Sequence, residues 1–333
     1  MKHGGDIYRV AKKLKCYAGE IVDFSSNINC YHPEVNITLT NAMLVPYADP
    51  AYTNLTNSIA NSYGLKPSQI SLHSGATAAI FNLFGSLEEK RVYLYAPLYS
   101  EYEKAAKEHG KNITKVNRFI NIDKRVKKNS IVVFVNPSTP DGKFYKLGKL
   151  FDMWQEQNCT IILDESFLEF EALLSQRFRI AEYDKLFIVQ SFSKFYSCAG
   201  VRVGAVFADA KSLKKLHAPL WSISSFDAKF LQKRLKNTNF SQKSKIIHKQ
   251  QKNELYEILK KSKLFTKIYK SDTNFFLVKS PQAKELHKHL LKQKILLRKC
   301  ANFNFLDKEH LRIAVKDSSS HEKLRRAFKG YSS

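Results

Sequence analysis

The feature that most restricts how this chain can fold is a repeated alternation. Short, β-rich apolar runs at residues 92–95, 131–135, 160–163, 186–190 and 203–208 are separated by longer stretches. Two of those stretches, 101–109 and 146–157, carry charged and apolar residues at helical spacing. A strand with no polar alternation is buried on both faces, which a parallel sheet covered by helices achieves. The expectation is therefore an α/β fold with a mostly parallel sheet. After Trp221 the pattern changes. Residues 227–263 contain no glycine or proline and predict one or two long helices. Further strands are expected at 274–278, 295–298 and 311–315, and a last helix over 321–328. A smaller α+β unit thus follows the large one.

Composition narrows the class. The 333 residues suit about two domains. With 44% hydrophobic and 26% charged residues the chain is neither collagen-like nor largely disordered. A mean hydropathy of -0.36 argues against an integral membrane protein. The longest uncharged stretch, 67–87, includes Gln69, His73, Ser74 and Asn82 and is too polar to span a bilayer. Met1-Lys2-His3-Gly4-Gly5 has no apolar signal-peptide core. Five cysteines, odd in number and without a CxxC pair, fit free thiols in a reducing cytoplasm. No Cys/His cluster has ligand spacing, so no metal is expected. The net charge of +25 is spread over the whole chain, and no nucleic-acid-binding motif accompanies it. It reads as solvated surface whose field draws in a small anionic substrate, with no nucleic-acid or membrane partner.

Five short segments carry chemistry. Ser191-Phe192-Ser193-Lys194, followed by Gly200, Arg202 and Gly204, comes directly after a buried strand. Burial disfavours the charged form of a lysine, which is what an imine-forming amine needs, and two hydroxyls with an arginine suit a phosphate. Asp164 ends the apolar run Ile161-Ile162-Leu163. It either pairs with a protonated ring nitrogen beyond the strand end or caps the next helix. Ser74-Gly75-Ala76-Thr77 opens an apolar run and offers backbone N–H groups to an anion, or is a plain helix cap. Asn136-Pro137-Ser138-Thr139-Pro140-Asp141-Gly142 is a turn after a strand. Arg312, inside Leu311-Arg312-Ile313, needs an anionic partner, either a carboxylate ligand or a structural ion pair.

In their order and spacing these segments resemble the fold-type I pyridoxal-phosphate enzymes of the aminotransferase class I/II superfamily, over nearly the whole chain. The resemblance implies a large domain over 46–212 with a mostly parallel sheet of the seven-stranded type. Residues 1–45 and 213–333 would form the smaller α+β domain. Two relatives compete. The opening His3-Gly4-Gly5-Asp6-Ile7, then Asp23-Phe24-Ser25-Ser26-Asn27-Ile28-Asn29, is similar to threonine-phosphate decarboxylases of the cobalamin pathway, and Phe167 points the same way. Histidinol-phosphate aminotransferases are the alternative.

The resemblance further implies roles. Lys194 would hold pyridoxal 5'-phosphate covalently and later move protons, and Asp164 would keep the ring nitrogen protonated. Gly75, Ala76, Thr77, Ser191, Ser193 and Arg202 would hold the cofactor phosphate. Tyr99 would stack on the ring, and Tyr47 would reach the cofactor phosphate of the other subunit in a homodimer with shared active sites. Arg312 would bind the substrate carboxylate, with Arg298, Asn29 and His3 as candidates for the substrate phosphate. Three positions depart from the family pattern. Thr139 stands where an asparagine usually donates to the cofactor's phenolic oxygen, Asp141 where a threonine is usual, and Cys30 where a proline is common. The substrate implied is a small phosphorylated amino acid, O-phosphothreonine or O-phosphoserine, decarboxylated or transaminated.

Overall fold

The five apolar runs form the middle of one seven-stranded sheet in the computed structural model, which describes residues 4–332. Across the sheet the strands are Ile70–His73, Gly204–Phe207, Leu186–Ser191, Thr160–Asp164, Ile131–Val135, Arg91–Ala96 and Asn112–Asn117. The four pairings from Leu186–Ser191 to Asn112–Asn117 are parallel. Gly204–Phe207 and Ile70–His73 add two antiparallel pairings at one edge. Ile131–Val135 shows why the runs are continuously apolar. Val132 and Phe134 enter the core on one face, and Ile131, Val133 and Val135 enter the core on the other.

The two edges are the strands with the weakest sequence signal: Ile70–His73 shows only as a strand end before the Ser74-Gly75 loop, and Asn112–Asn117 is not predicted. Asn112–Asn117 pairs on one side only, and of its six residues only Val116 is fully buried. Ile70–His73 likewise pairs only with Gly204–Phe207. An edge strand needs no apolar residue at every position, so it leaves no continuous run to read.

The long polar stretch is two helices, Ser225–Lys236 and Thr238–Ser262. They break at Asn237, whose side chain accepts the Phe240 N–H. The first packs along helix Thr53–Tyr63, and Leu231 and Phe240 join the core of the large sheet. A second sheet runs in the order Arg298–Lys299, His310–Ala314, Phe275–Lys279, Lys267–Ile268, all antiparallel. The single strand expected at 295–298 is divided. Ile295–Leu296 pairs in parallel with Val22–Asp23, and Arg298–Lys299 crosses to the second sheet. The helix Ser318–Ser332 closes that sheet's core through Leu324, Ala327 and Phe328. The five cysteines are free thiols. Among the described residues no helix is long and apolar enough to cross a membrane.

Candidate active site

A cavity of about 320 Å³ lies at the carboxyl ends of the central strands, where open α/β sheets bind ligands. Its floor is built from strand ends. Asp164 closes one strand, Ser191 the next, and Lys194 follows three residues later. The helix Gly75–Ser86 begins at the same level.

That helix start has a geometry that suits an anion. Gly75 has φ +82°, a left-handed conformation that strains any side chain. A Cβ there would also meet Arg202 Nη2 at 2.6 Å. A Cβ on Gly204 would sit 2.3 Å from the Ala76 nitrogen. The two glycines therefore let the helix start, the neighbouring strand and the Arg202 guanidinium close on one point. Ala76, Thr77, Ser191, Ser193 and Arg202 all line the cavity. The Thr77 hydroxyl lies 3.3 Å from that of Tyr99.

Asp164 is held as an acceptor. Its Oδ1 takes the Ser166 N–H at 2.9 Å, and its Oδ2 takes the Tyr102 hydroxyl at 2.8 Å. Burial and the Asp164 charge push Tyr102 well above the usual phenol range, so it stays a donor. Lys194 points its amine over the Phe167 ring, 5.0 Å from the centroid. Burial lowers its pKa, and the positive charges of Arg312 and Arg202 lower it further, against an opposing pull from Asp164.

Arg312 enters from the second sheet. Its Nη1 donates to Thr139 Oγ1 at 2.9 Å and its Nη2 to the Ser25 carbonyl at 3.0 Å, while its buried Nε has no protein partner. Arg298 stands directly opposite it in the antiparallel ladder, and both line the cavity. Burial, with Arg298 nearby, brings Arg312 down to about 10. It remains a cation at neutral pH.

Most residues read from the sequence converge here; Asn29 and Tyr47 lie outside this cavity. Asn29 was a candidate for a substrate phosphate, yet its side chain is spent on the fold. Its Nδ2 donates to the Phe195 carbonyl at 2.8 Å and to Ser244 Oγ at 3.0 Å. Its backbone N–H donates to the Lys194 carbonyl at 2.9 Å, so it braces the Lys194 turn from behind. Its neighbours Ser25, Ser26, Asn27 and Ile28 line the cavity instead. Tyr47 lies on the surface, 79% exposed, stacked on Trp221 at 4.6 Å. His3 lies outside the described residues. Tyr102 went unread, although a helix beginning at residue 100 puts it one turn beyond the cavity-lining Tyr99.

The donor set fits pyridoxal 5'-phosphate. A bare helix N-terminus with two hydroxyls and an arginine suits the phosphate, and a buried carboxylate suits a pyridinium nitrogen. An amine depressed by burial suits the aldehyde.

Comparison with known proteins agrees with this geometry. The chain is 28% identical to the adenosylcobalamin biosynthesis bifunctional protein of Leptospira interrogans, over 98% of its own length and 40% of that protein's. It thus spans less than half of that relative. It is 24% identical to the threonine-phosphate decarboxylase of Salmonella typhimurium, over 97% of this chain and 94% of the other. Among solved structures, the histidinol-phosphate aminotransferase of Clostridium acetobutylicum superposes with a TM-score of 0.79 at 29% identity, covering 92% of this chain and 98% of that one. The family model for aminotransferase class I and II matches residues 20–329. The chain belongs to the aminotransferase class I and II family.

Proposed function

We propose that this protein carries pyridoxal 5'-phosphate on Lys194 and removes the carboxylate of a small phosphorylated L-amino acid as CO2. The observation that carries the reading is the facing pair Arg298 and Arg312, in a cavity that also holds Arg202. Like charges opposed across an antiparallel ladder repel. Asp164 is the one carboxylate among the described lining residues. With Arg202 assigned to the cofactor phosphate, we assign the Arg298 and Arg312 guanidinium groups to the substrate. A ligand with both a carboxylate and a phosphate offers each a charge-assisted bond. O-phosphothreonine and O-phosphoserine have that pair of groups, whereas histidinol phosphate has the phosphate alone.

When bound, the cofactor supplies an electron sink for the pair left at the substrate Cα. Asp164, which accepts from the Ser166 N–H and the Tyr102 hydroxyl, would stand against the ring nitrogen and hold its proton. Lys194, its pKa lowered by burial, would hold the cofactor covalently and move a proton at the substrate Cα. Arg312 grips the carboxylate and Arg298 the phosphate. Together they would orient the substrate and so select which bond at Cα is broken.

A second reading is transamination, favoured by the 29% identity to a histidinol-phosphate aminotransferase structure. A dicarboxylate acceptor also presents two anions. In either case we place the enzyme in the cytoplasm as a homodimer, with Tyr47 reaching the partner's cofactor phosphate. Residues 46–212 would form the cofactor-binding unit, and 1–45 with 213–333 the smaller one.

The test incubates cofactor-loaded protein with O-phosphothreonine and O-phosphoserine, with and without 2-oxoglutarate. Release of CO2 and amine phosphate without 2-oxoglutarate is expected. Glutamate formation without CO2 establishes the transaminase instead. Lys194→Ala must abolish both products and the covalent cofactor; surviving turnover would falsify the assignment.

A further inference from the structure

The turn after strand Ile131–Val135 borders two cavities. Thr139 lines the catalytic one, and Asp141, two residues on, lines a second of about 600 Å³. The two share no described lining residue. Another wall of the second cavity is set by Lys267 and His310 of the antiparallel sheet, with Tyr269 beside them. Asp272 ties the walls together. Its N–H donates to the Gly142 carbonyl at 2.7 Å, and its Oδ2 accepts the Phe144 N–H at 2.8 Å.

Several polar groups lining this second cavity already have partners. The Tyr269 hydroxyl meets His310 Nε2 at 3.0 Å, and His310 Nδ1 meets Asp307 at 2.7 Å. The buried Arg118 guanidinium donates to the Tyr95 and Val135 carbonyls. Asp141 differs. It is 2% exposed, and its Oδ2 accepts the Tyr145 hydroxyl at 3.2 Å. Burial and the Asp141 charge raise the Tyr145 pKa, so that hydroxyl stays a donor. Asp141 Oδ1 accepts no hydrogen bond among the described residues, and the nearby Arg118 offers it charge alone. A buried carboxylate oxygen without a donor is costly, and a ligand cation can supply one. Lys143, Lys267 and Lys270 line the same cavity and are exposed. Lys143 lies over the Tyr145 ring at 4.7 Å and Lys267 over the Tyr269 ring at 4.4 Å. The cavity is thus negative at a buried point and positive where it meets solvent.

We propose that this cavity is a second ligand site, for a small phosphorylated amine, with the ammonium on Asp141 Oδ1 and the phosphate on Lys143, Lys267 and Lys270. An ammonium gives the carboxylate a charge-assisted bond, and lysines bind phosphate as point charges. The charge pattern differs from that of the catalytic cavity, where Arg298 and Arg312 suit two anionic groups. Here a carboxylate next to the ligand's ammonium would be forced against Asp141. The site therefore favours a phosphorylated amine over the corresponding phosphorylated amino acid. Such amines are also what the decarboxylation proposed above would release, but the selectivity comes from this cavity's own charges.

The experiment is calorimetric titration with O-phosphoethanolamine. The holoenzyme is first treated with borohydride, so that the amine cannot react at Lys194; binding is then read whether or not the cofactor assignment holds. Asp141→Asn should weaken binding by about tenfold or more, as loss of a charge-assisted hydrogen bond would. Lys267→Gln combined with Lys270→Gln, both at exposed positions, should weaken it several-fold without touching the buried turn. Arg298→Gln, in the catalytic cavity, should leave it unchanged. In that Arg298→Gln protein, O-phosphoserine should bind several-fold more weakly than O-phosphoethanolamine. No binding to wild type overturns the proposal. So does an affinity unchanged by Asp141→Asn or by the lysine pair, or one lost in Arg298→Gln, which would put the probe in the catalytic cavity. O-phosphoserine binding as tightly as the amine in Arg298→Gln overturns the assigned ligand class.

Discussion

The Tyr102 hydroxyl donates to Asp164 Oδ2 at 2.8 Å from the first turn of helix Ser100–Glu108. Both groups are buried, and the bond joins residues 62 apart in sequence. With the Ser166 N–H on Oδ1, both carboxylate oxygens accept a hydrogen bond from the fold. Tyr102→Phe keeps the ring and deletes the donor. Cofactor affinity should fall by roughly tenfold, since a hydrogen bond to a charged group is worth about 1.5 kcal/mol or more. Titrating apoprotein with pyridoxal phosphate by absorbance measures this, and an unchanged affinity removes Tyr102 from the site.

Arg298 and Arg312 face each other and should fail differently. Arg312→Gln should lower kcat/KM on a carboxylated, phosphorylated substrate by about a hundredfold, with much of the loss in kcat, because it orients the bond that breaks. Arg298→Gln should act mainly on KM, through lost grip on the phosphate. Steady-state kinetics separate the two. Equal effects on kcat from both variants would mean that neither arginine has a distinct task.

Glu165, beside Asp164 but turned into the fold, carries a built-in pH dependence. Burial raises its carboxyl from 4.5 to about 7, although the Gln176 N–H, Ser175 and Arg177 pull it down. Between those values the unfolded chain has lost the proton and the folded chain has kept it. The unfolded state then binds fewer protons, so this group's contribution to stability falls as pH rises through the window. Glu165→Gln should therefore gain on wild type from below pH 4.5 to about 7, with the difference constant above. Urea unfolding at a series of pH values reads this out directly. A difference independent of pH would contradict the buried-acid account.

Leu44, Val45, Tyr47, Leu220 and Trp221 are exposed large apolar residues, 46–80% accessible, and the Tyr47 ring stacks on Trp221. An apolar surface of this kind is a candidate interface, and the proposed dimer would cover it. Val45→Asp should shift the protein toward monomer in sedimentation velocity and weaken cofactor retention with it. A dimer unaffected by the change would place the interface elsewhere.

The parts of this molecule legible in the sequence are those whose cause is local. The five central strands could be read because burial on both faces demands apolar residues at every position. Lys194, Asp164 and the Gly75 turn could be read because a strand end, a short turn and a helix start are contiguous in the chain. The edge strand Asn112–Asn117 was hidden because one-sided pairing relaxes that demand. The tertiary structure alone decided which distant groups meet. Periodicity marked Arg312 as buried, but only the crossing of residues 295–299 between sheets sets Arg298 against it. The same limit made Asn29 read as a ligand when it is a brace for the Lys194 turn. It also left Tyr102 unread. A sequence fixes what a side chain can donate or accept, whereas its partner depends on where a chain segment tens or hundreds of residues away comes to rest.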